Sequence, residues 1–330
     1  MTRVIADSLP ERLVRPAGKA RASVGRPRIM LEVNPGYGWV VGVDVCGTEI
    51  RVGLFDLNLR QLAKSNRRVA GAFLDPRDTA DKVAAVTRDV LRIAENRQVD
   101  VIGVGVGISA RPESGEADAD LGTLLERRIG GIPVSVGDRV ENLGRAESWR
   151  GPARGVRRAV VVVIESGVQL ALVVDGTVDL AGDWGRTTFV HNGRTCRCGA
   201  KGCVEAYFGA DGILDQYGEL DGVEPLHGHN ERSRLSGLLA AATWSAPAAE
   251  LMRETVACLG AGIGSLATLF RPDRIVLGGW AGMALGDRYL HEIERAADGY
   301  TVRGTTLVLG RPGAAVLGAA TLPVLSLLEQ

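Results

Sequence analysis

The stretch that decides the fold is WVVGVDVCGTEIRVGLFDL, residues 39 to 57. Its two short runs of β-branched and apolar residues are divided by Cys46-Gly47-Thr48, a spacing that predicts adjacent strands joined by a tight glycine turn. The turn at residues 56–60 and the run QLAKSNRRVA, residues 61–70, continue a meander. Asp75-Pro76 then opens a segment in which Val83, Val86, Val90, Leu91 and Ile93 or Ala94 recur at helical spacing. VDVIGVGVGIS, residues 99–109, follows as a fully apolar run suited to a buried parallel strand. Meander, helix and parallel strand together predict an α/β fold.

The second half repeats the theme. RRAVVVVIESGVQLALVVDGTV, residues 157–178, predicts two strands with a turn at Glu165 to Gly167. LMRETVACLGAGIGSLATLFRPDRIVLGG, residues 251–279, predicts a helix, a proline stop and a strand ending in glycines. Two such halves suggest a duplicated nucleotide-binding fold with a cleft between lobes. The segment from Gly209 to Pro247, which holds His227 and His229, reads as helices and loops covering that cleft.

At 330 residues the chain is long enough for two cores. Its 39 basic side chains equal its 39 acidic ones, so net charge points to neither nucleic acid nor membrane. The distribution is uneven: residues 1–36 carry seven basic and three acidic side chains, leaving 32 basic against 36 acidic in the rest. No run reaches the roughly 18 apolar residues of a membrane helix, and the N-terminus has no apolar secretory core. A cytoplasmic protein is expected. Three of the five cysteines, Cys196, Cys198 and Cys203, lie within eight residues, a pattern of metal ligation in a reducing compartment rather than of disulfides.

The ordered pieces GVDVCGTEIRVGLFD (42–56), VENLGRAE (140–147), TCRCGAKGCVEAY (195–207), RPDRIVLGG (271–279) and AAVLGAA (314–320) resemble the ROK family of repressors, unassigned reading frames and sugar kinases. The cysteine cluster followed by Gly-Cys-x-Glu is the most specific part. The resemblance implies a two-lobed actin-like/sugar-kinase (ribonuclease H-like) fold. It divides the chain into residues 1–36, a partial winged helix-turn-helix remnant and wing; residues 37–140, a first lobe completed by a C-terminal helix at about 314–330; and residues 141–313, a second lobe with the cysteine-rich loop.

The resemblance also implies roles. Asp44, Gly47 and Thr48 look like a vestige of the first phosphate turn, Gly167 of the second, and Gly278-Gly279 of the strand end that carries adenosine; the alternative is glycine turns kept for packing. Asn142, Asp183 and Glu205 match sugar-contacting positions, the alternative being surface or hinge polar residues. Family kinases follow the asparagine with an aspartate that serves as general base, whereas Leu143 follows Asn142 here. Leucine cannot accept a proton, so no catalytic residue is assigned and kinase activity with ATP and Mg2+ is not expected. At the second phosphate turn, Glu165 brings a carboxylate where phosphate charge would sit.

For zinc, the three cysteines need a fourth ligand. The family's histidine is replaced by Arg186, and His191, five residues before Cys196, is the substitute, with water or no metal as alternatives. Gly25-Arg26-Pro27-Arg28 resembles the wing of the family's repressors, which would place Thr2 and Arg3 on a recognition helix and Arg26 and Arg28 against DNA phosphates or a narrow minor groove. The alternative is a basic tail. The resulting expectation is a sugar-responsive repressor, dimeric or tetrameric, binding DNA if a complete winged helix-turn-helix exists. A sugar kinase of glucokinase or N-acetylhexosamine kinase type, and an oligomeric interaction protein without sugar or DNA, are the rival readings.

Overall fold

The computed structural model describes residues 13–19, 29–47, 49–69, 75–108, 116–301 and 306–328. Strands run β1 Val14–Lys19, β2 Ile29–Val33, β3 Trp39–Cys46, β4 Glu49–Asp56, β5 Gln61–Arg68, β6 Val101–Ile108, β7 Val134–Asp138, β8 Arg158–Ile164, β9 Val168–Val174, β10 Thr177–Gly182, β11 Arg274–Gly278 and β12 Leu307–Leu309. Helices are α1 Pro76–Arg97, α2 Glu116–Arg128, α3 Arg139–Arg150, α4 Glu205–Phe208, α5 Ala210–Gly218, α6 Glu231–Ala241, α7 Ala246–Phe270, α8 Trp280–Asp298 and α9 Ala314–Leu328. The chain divides into two compact units, Met1–Asn142 with Ala315–Gln330, and Leu143–Ala314.

In the first unit the sheet order is β5-β4-β3-β6-β7. β3, β4 and β5 form the antiparallel meander, while β3, β6 and β7 run parallel. Gly47 closes the β3–β4 turn at φ 57°, a left-handed conformation that favours glycine. Asp75 caps α1 by accepting the N–H of Arg77, and Pro76 takes the first helical position, where its missing N–H is harmless. Val83, Val86, Val90, Leu91 and Ala94 are buried as the spacing predicts, with Ile93 turned outward at 38 % exposure.

The period-two pattern of β6 has a two-sided cause. Val104 and Val106 enter the core beneath α1 and α2. Gly103, Gly105 and Gly107 face the other way, and the first two bring the sheet into contact with α9: a Cβ on Gly105 would overlap the carbonyl of Ala319, and one on Gly103 would lie 2.6 Å from Cβ of Pro323. On β3, Gly42 admits Val316 and Ala320 in the same way. Glycine here permits a backbone-to-sheet approach that any side chain would block.

The second unit repeats the order as β10-β9-β8-β11-β12, again an antiparallel meander beside parallel strands. Its core gathers Val160, Val162 and Ile164 from β8 with Phe208, Leu259, Ile263 and Leu285. Residues 209–247 hold α5, α6 and the start of α7. Pro247 lies in the first turn of α7, so the helix begins before the periodic run from Leu251.

β1 and β2 form a separate antiparallel ribbon, with Arg15 Nε 2.7 Å from Glu32 Oε1. Met30, Leu31 and Val33 are exposed on it. Among the described residues, no helix is long and apolar enough to cross a membrane.

Candidate functional site

The cysteine loop folds on itself through the bridges Thr188 to Cys203 and Thr195 to Lys201. Gly202, at φ 77°, lies so close to Val190 that a Cβ would strike its carbonyl oxygen. Cys196 N–H donates to Ala200 O at 2.8 Å, and Gly199 N–H returns to Cys196 O at 2.9 Å. These bonds gather the three thiols, whose sulfurs all lie within 4.8 Å of one another. Cys196 and Cys203 are buried and Cys198 is exposed.

A tetrahedral ion with Zn–S bonds of about 2.3 Å holds its thiolates about 3.8 Å apart. Cys198 Sγ and Cys203 Sγ are separated by 3.7 Å, so the donors and their spacing fit such an ion. Burial pushes the Cys196 thiol up to about 12 and raises Cys203 as well, while the N–H of Ala200 draws Cys198 down. A bound cation reverses the burial penalty by favouring the thiolate. His191 is exposed, with Nε2 3.1 Å from Asn192 Nδ2, and is not part of the group within 4.8 Å. Arg186, which stands where the family's histidine was expected, pairs with Asp183 at 3.4 Å.

Glu205 opens the single turn α4 and links the loop to the β8–β9 turn. Its Oε1 accepts from Cys196 Sγ at 3.0 Å, while Oε2 lies beside the backbone of Gly167 and Gly185. Sequence positions 167, 196 and 205 thus converge. Asp183 is exposed and accepts from Gln169 Nε2 at 3.2 Å.

Further acids, which the sequence did not single out, close round the same turn. Ser166 Oγ donates to Glu231 at the start of α6, and the N–H groups of Ala210 and Asp211 donate to the carbonyls of Glu165 and Ser166 at 2.8 and 3.1 Å. Arg197, between two of the cysteines, pairs with Asp211 and with Asp215 one turn on. Burial and the neighbouring Glu231 push the Asp211 carboxyl up to about 7. The segment after β8, which contains Glu165, is therefore bordered by Glu205, Glu231 and Asp211. At the end of β11, Gly279 adopts φ 78° and leads into Trp280, over which the Arg232 guanidinium stacks at 5.5 Å.

In the first unit, Asp44 is fully buried and receives Arg139, Nε to Oδ1 at 2.5 Å and Nη2 to Oδ2 at 3.5 Å. Arg51 Nη1 stands 3.8 Å from Asp44 Oδ2 and donates through Nη2 to Glu49 at 2.5 Å. Asp138 caps α3 by accepting from Val140 N and Glu141 N, which sets Arg139 at the helix entry. Arg139 was missed in the sequence; its place directly after a helix-capping aspartate is the signal that could have found it. Asn142 is buried, its side chain against Gly107 and Gly137. Leu143, in the second unit, is 4 % exposed. Thr2, Arg3, Arg26, Arg28 and Thr48 lie outside the described residues.

A family model described as the ROK family matches residues 40–322. The chain is 25% identical over 299 residues to a glucokinase of Halalkalibacterium halodurans, covering 80% of this chain and 86% of that one. It is 22% identical over 284 residues to the xylose repressor of Bacillus subtilis, covering 82% and 71%. Among solved structures, a ROK family transcriptional regulator that is a homologue of the E. coli MLC protein aligns over 100% of this chain and 90% of its own, with TM-score 0.75 at 20% identity. The shared architecture is the actin-like sugar-kinase fold.

Proposed function

This chain belongs to the ROK family, and from that premise we propose that it is a sugar-responsive transcriptional regulator that does not transfer phosphate. The observation that carries the reading is Leu143, a buried apolar side chain directly after Asn142, where the family's kinases place the acid that takes the proton from the sugar hydroxyl. Loss of a general base costs on the order of 10²–10⁴ in rate. The acids round the β8–β9 turn support the same reading, since Glu165, Glu205 and Glu231 oppose the charge of a phosphate.

On the sugar side, Glu205, Asp183 and Asn142 are the contacts we assign, as acceptors and donors for hydroxyl groups. Cys196, Cys198 and Cys203 would hold a structural zinc ion, with His191 as fourth ligand from its exposed turn. The metal would supply fixation of the loop: with the thiolates held, the backbone leading into α4 keeps Glu205 in place. On the DNA side, the β1–β2 ribbon is the wing of the proposed reader, with exposed Arg15 on one strand and Arg26 and Arg28 in the segment between strands. Thr2 and Arg3 complete the assigned contacts. A cytoplasmic homodimer or homotetramer is the corresponding assembly.

Two measurements on the purified chain separate this reading from its rivals, the first from an interaction protein that binds no sugar and the second from a kinase. Thermal melting against a panel of pentoses, hexoses and N-acetylhexosamines is expected to show stabilisation by at least one sugar, because a ligand of the native state raises its melting temperature. A coupled ATP-consumption assay over the same panel is expected to stay at background. Sugar-dependent turnover that disappears when another acid is replaced would overturn the reading.

A further inference from the structure

Glu147 lies on the buried side of α3, 1 % exposed. Its Oε1 accepts the backbone N–H of Arg311 at 2.7 Å. Its Oε2 is buried without a hydrogen-bond partner among the described residues. The fit is close: a Cβ on Gly151 would overlap Oε2, and one on Gly310 would come within 2.8 Å of Oε1. Glu147 is the fifth residue of the second unit and Arg311 the fourth from its end, so this one carboxyl joins the first and last segments of the unit's chain.

We propose that Glu147 is a protonatable clamp that fastens the C-terminal half of α3 to the segment between β12 and α9. The neighbouring bonds fit that role without neutralising the carboxylate. Arg311 donates its Nη1 to the carbonyl of Arg150 at 3.0 Å, capping α3. Arg274, on β11, donates to the carbonyl of Pro152. From the β9–β10 turn, Gly176 O accepts Ser148 Oγ at 2.8 Å, and Asp175 of that turn stands 3.9 Å from Arg157. An ionised carboxylate with a buried, unmatched oxygen is costly, whereas the protonated acid keeps its bond to Arg311 without the charge.

Burial accordingly pushes the carboxyl up to about 7, against the downward pull of the Arg311 N–H and guanidinium. A folded-state value above the unfolded one means that the native protein holds the proton longer. The stability this contributes is complete below the unfolded value, near 4.5, and is lost as pH rises through about 7. Over that window the unfolding constant rises by up to about tenfold per pH unit from this group.

The test compares wild type with Glu147→Gln, which keeps an acceptor for Arg311 and cannot ionise. Asp211 titrates in the same range, so both proteins are also made with Asp211→Asn. Melting temperatures between about pH 5 and pH 8 are expected to converge at the acid end and to separate at the alkaline end, with Glu147→Gln the more stable. Parallel curves would overturn the proposal. Infrared spectroscopy of the Asp211→Asn protein supplies a readout that does not depend on the glutamine variant folding: a protonated-carboxyl band that titrates near pH 7 is expected, and its absence at acidic pH sinks the idea.

Discussion

Asp44 Oδ1 and Arg139 Nε stand 2.5 Å apart with both side chains excluded from solvent, at 0% and 3% exposure. The aspartate that resembles a phosphate-turn residue is thereby engaged by a guanidinium from the start of α3. Removing one member of a buried pair leaves the other charge uncompensated, at about 3–5 kcal/mol. Asp44→Asn and Arg139→Met are each expected to destabilise by that amount in urea unfolding, and the double replacement by less than the sum. Additive losses would show that the two side chains do not depend on one another.

The cysteine loop makes a prediction about metal. Purified protein is expected to carry one zinc per chain by elemental analysis, and Cys198→Ser or Cys203→Ser to lose it, because each removes one of three clustered thiolates. His191→Ala is expected to retain zinc at saturation but to bind it more weakly. An unchanged affinity would strike His191 from the ligand set. Chelation should lower the melting temperature, since binding to the folded loop is linked to its stability.

Asp211 predicts a pH dependence of known sign. Its carboxyl is raised to about 7, first by burial and then by Glu231, so its contribution to stability is present below the ordinary aspartate range and is lost as pH rises through about 7. Asp211→Asn is expected to flatten the decline of melting temperature between about pH 5 and pH 8. Equal slopes in the two proteins would show that the charge is absorbed by Arg197 and not by a proton.

Packing of α9 gives a steric test. Gly105→Ala places a methyl group into the carbonyl of Ala319 and is expected to cost about 1–3 kcal/mol or more as helix and sheet separate. Gly218→Ala has no atom within 4 Å of the added methyl and is expected to be neutral or slightly stabilising. Chemical denaturation of both variants decides the matter, and equal effects would refute the close-approach account.

Much of the fold was legible because it is written in local periodicity. The alternation in residues 39–57 and the helical spacing of Val83, Val86 and Val90 require no distant partner to be read, and the structure places them as expected. The segment 209–247 was harder, because the apolar face of α6 rests on a short set, Leu235, Leu238 and Leu239, and its capping by Asn230 depends on the reciprocal bond with Ser233. Glycine was ambiguous for the same reason: Gly103, Gly105 and Gly107 read as apolar filler until α9, over two hundred residues later, is seen to lie on two of them.

The candidate site divides along the same line. By itself the sequence determined the family motifs, the gathering of three thiols in eight residues, and the leucine that follows Asn142, since each is a matter of residue identity and short spacing. Only the tertiary structure decided that Glu205 reaches both Cys196 and the Gly167 backbone, that Arg139 engages Asp44, that Arg197 and Glu231 meet at Asp211, and that Glu147 meets Arg311. Those contacts join residues up to 164 positions apart, and their protonation depends on burial, a property that chain order does not carry.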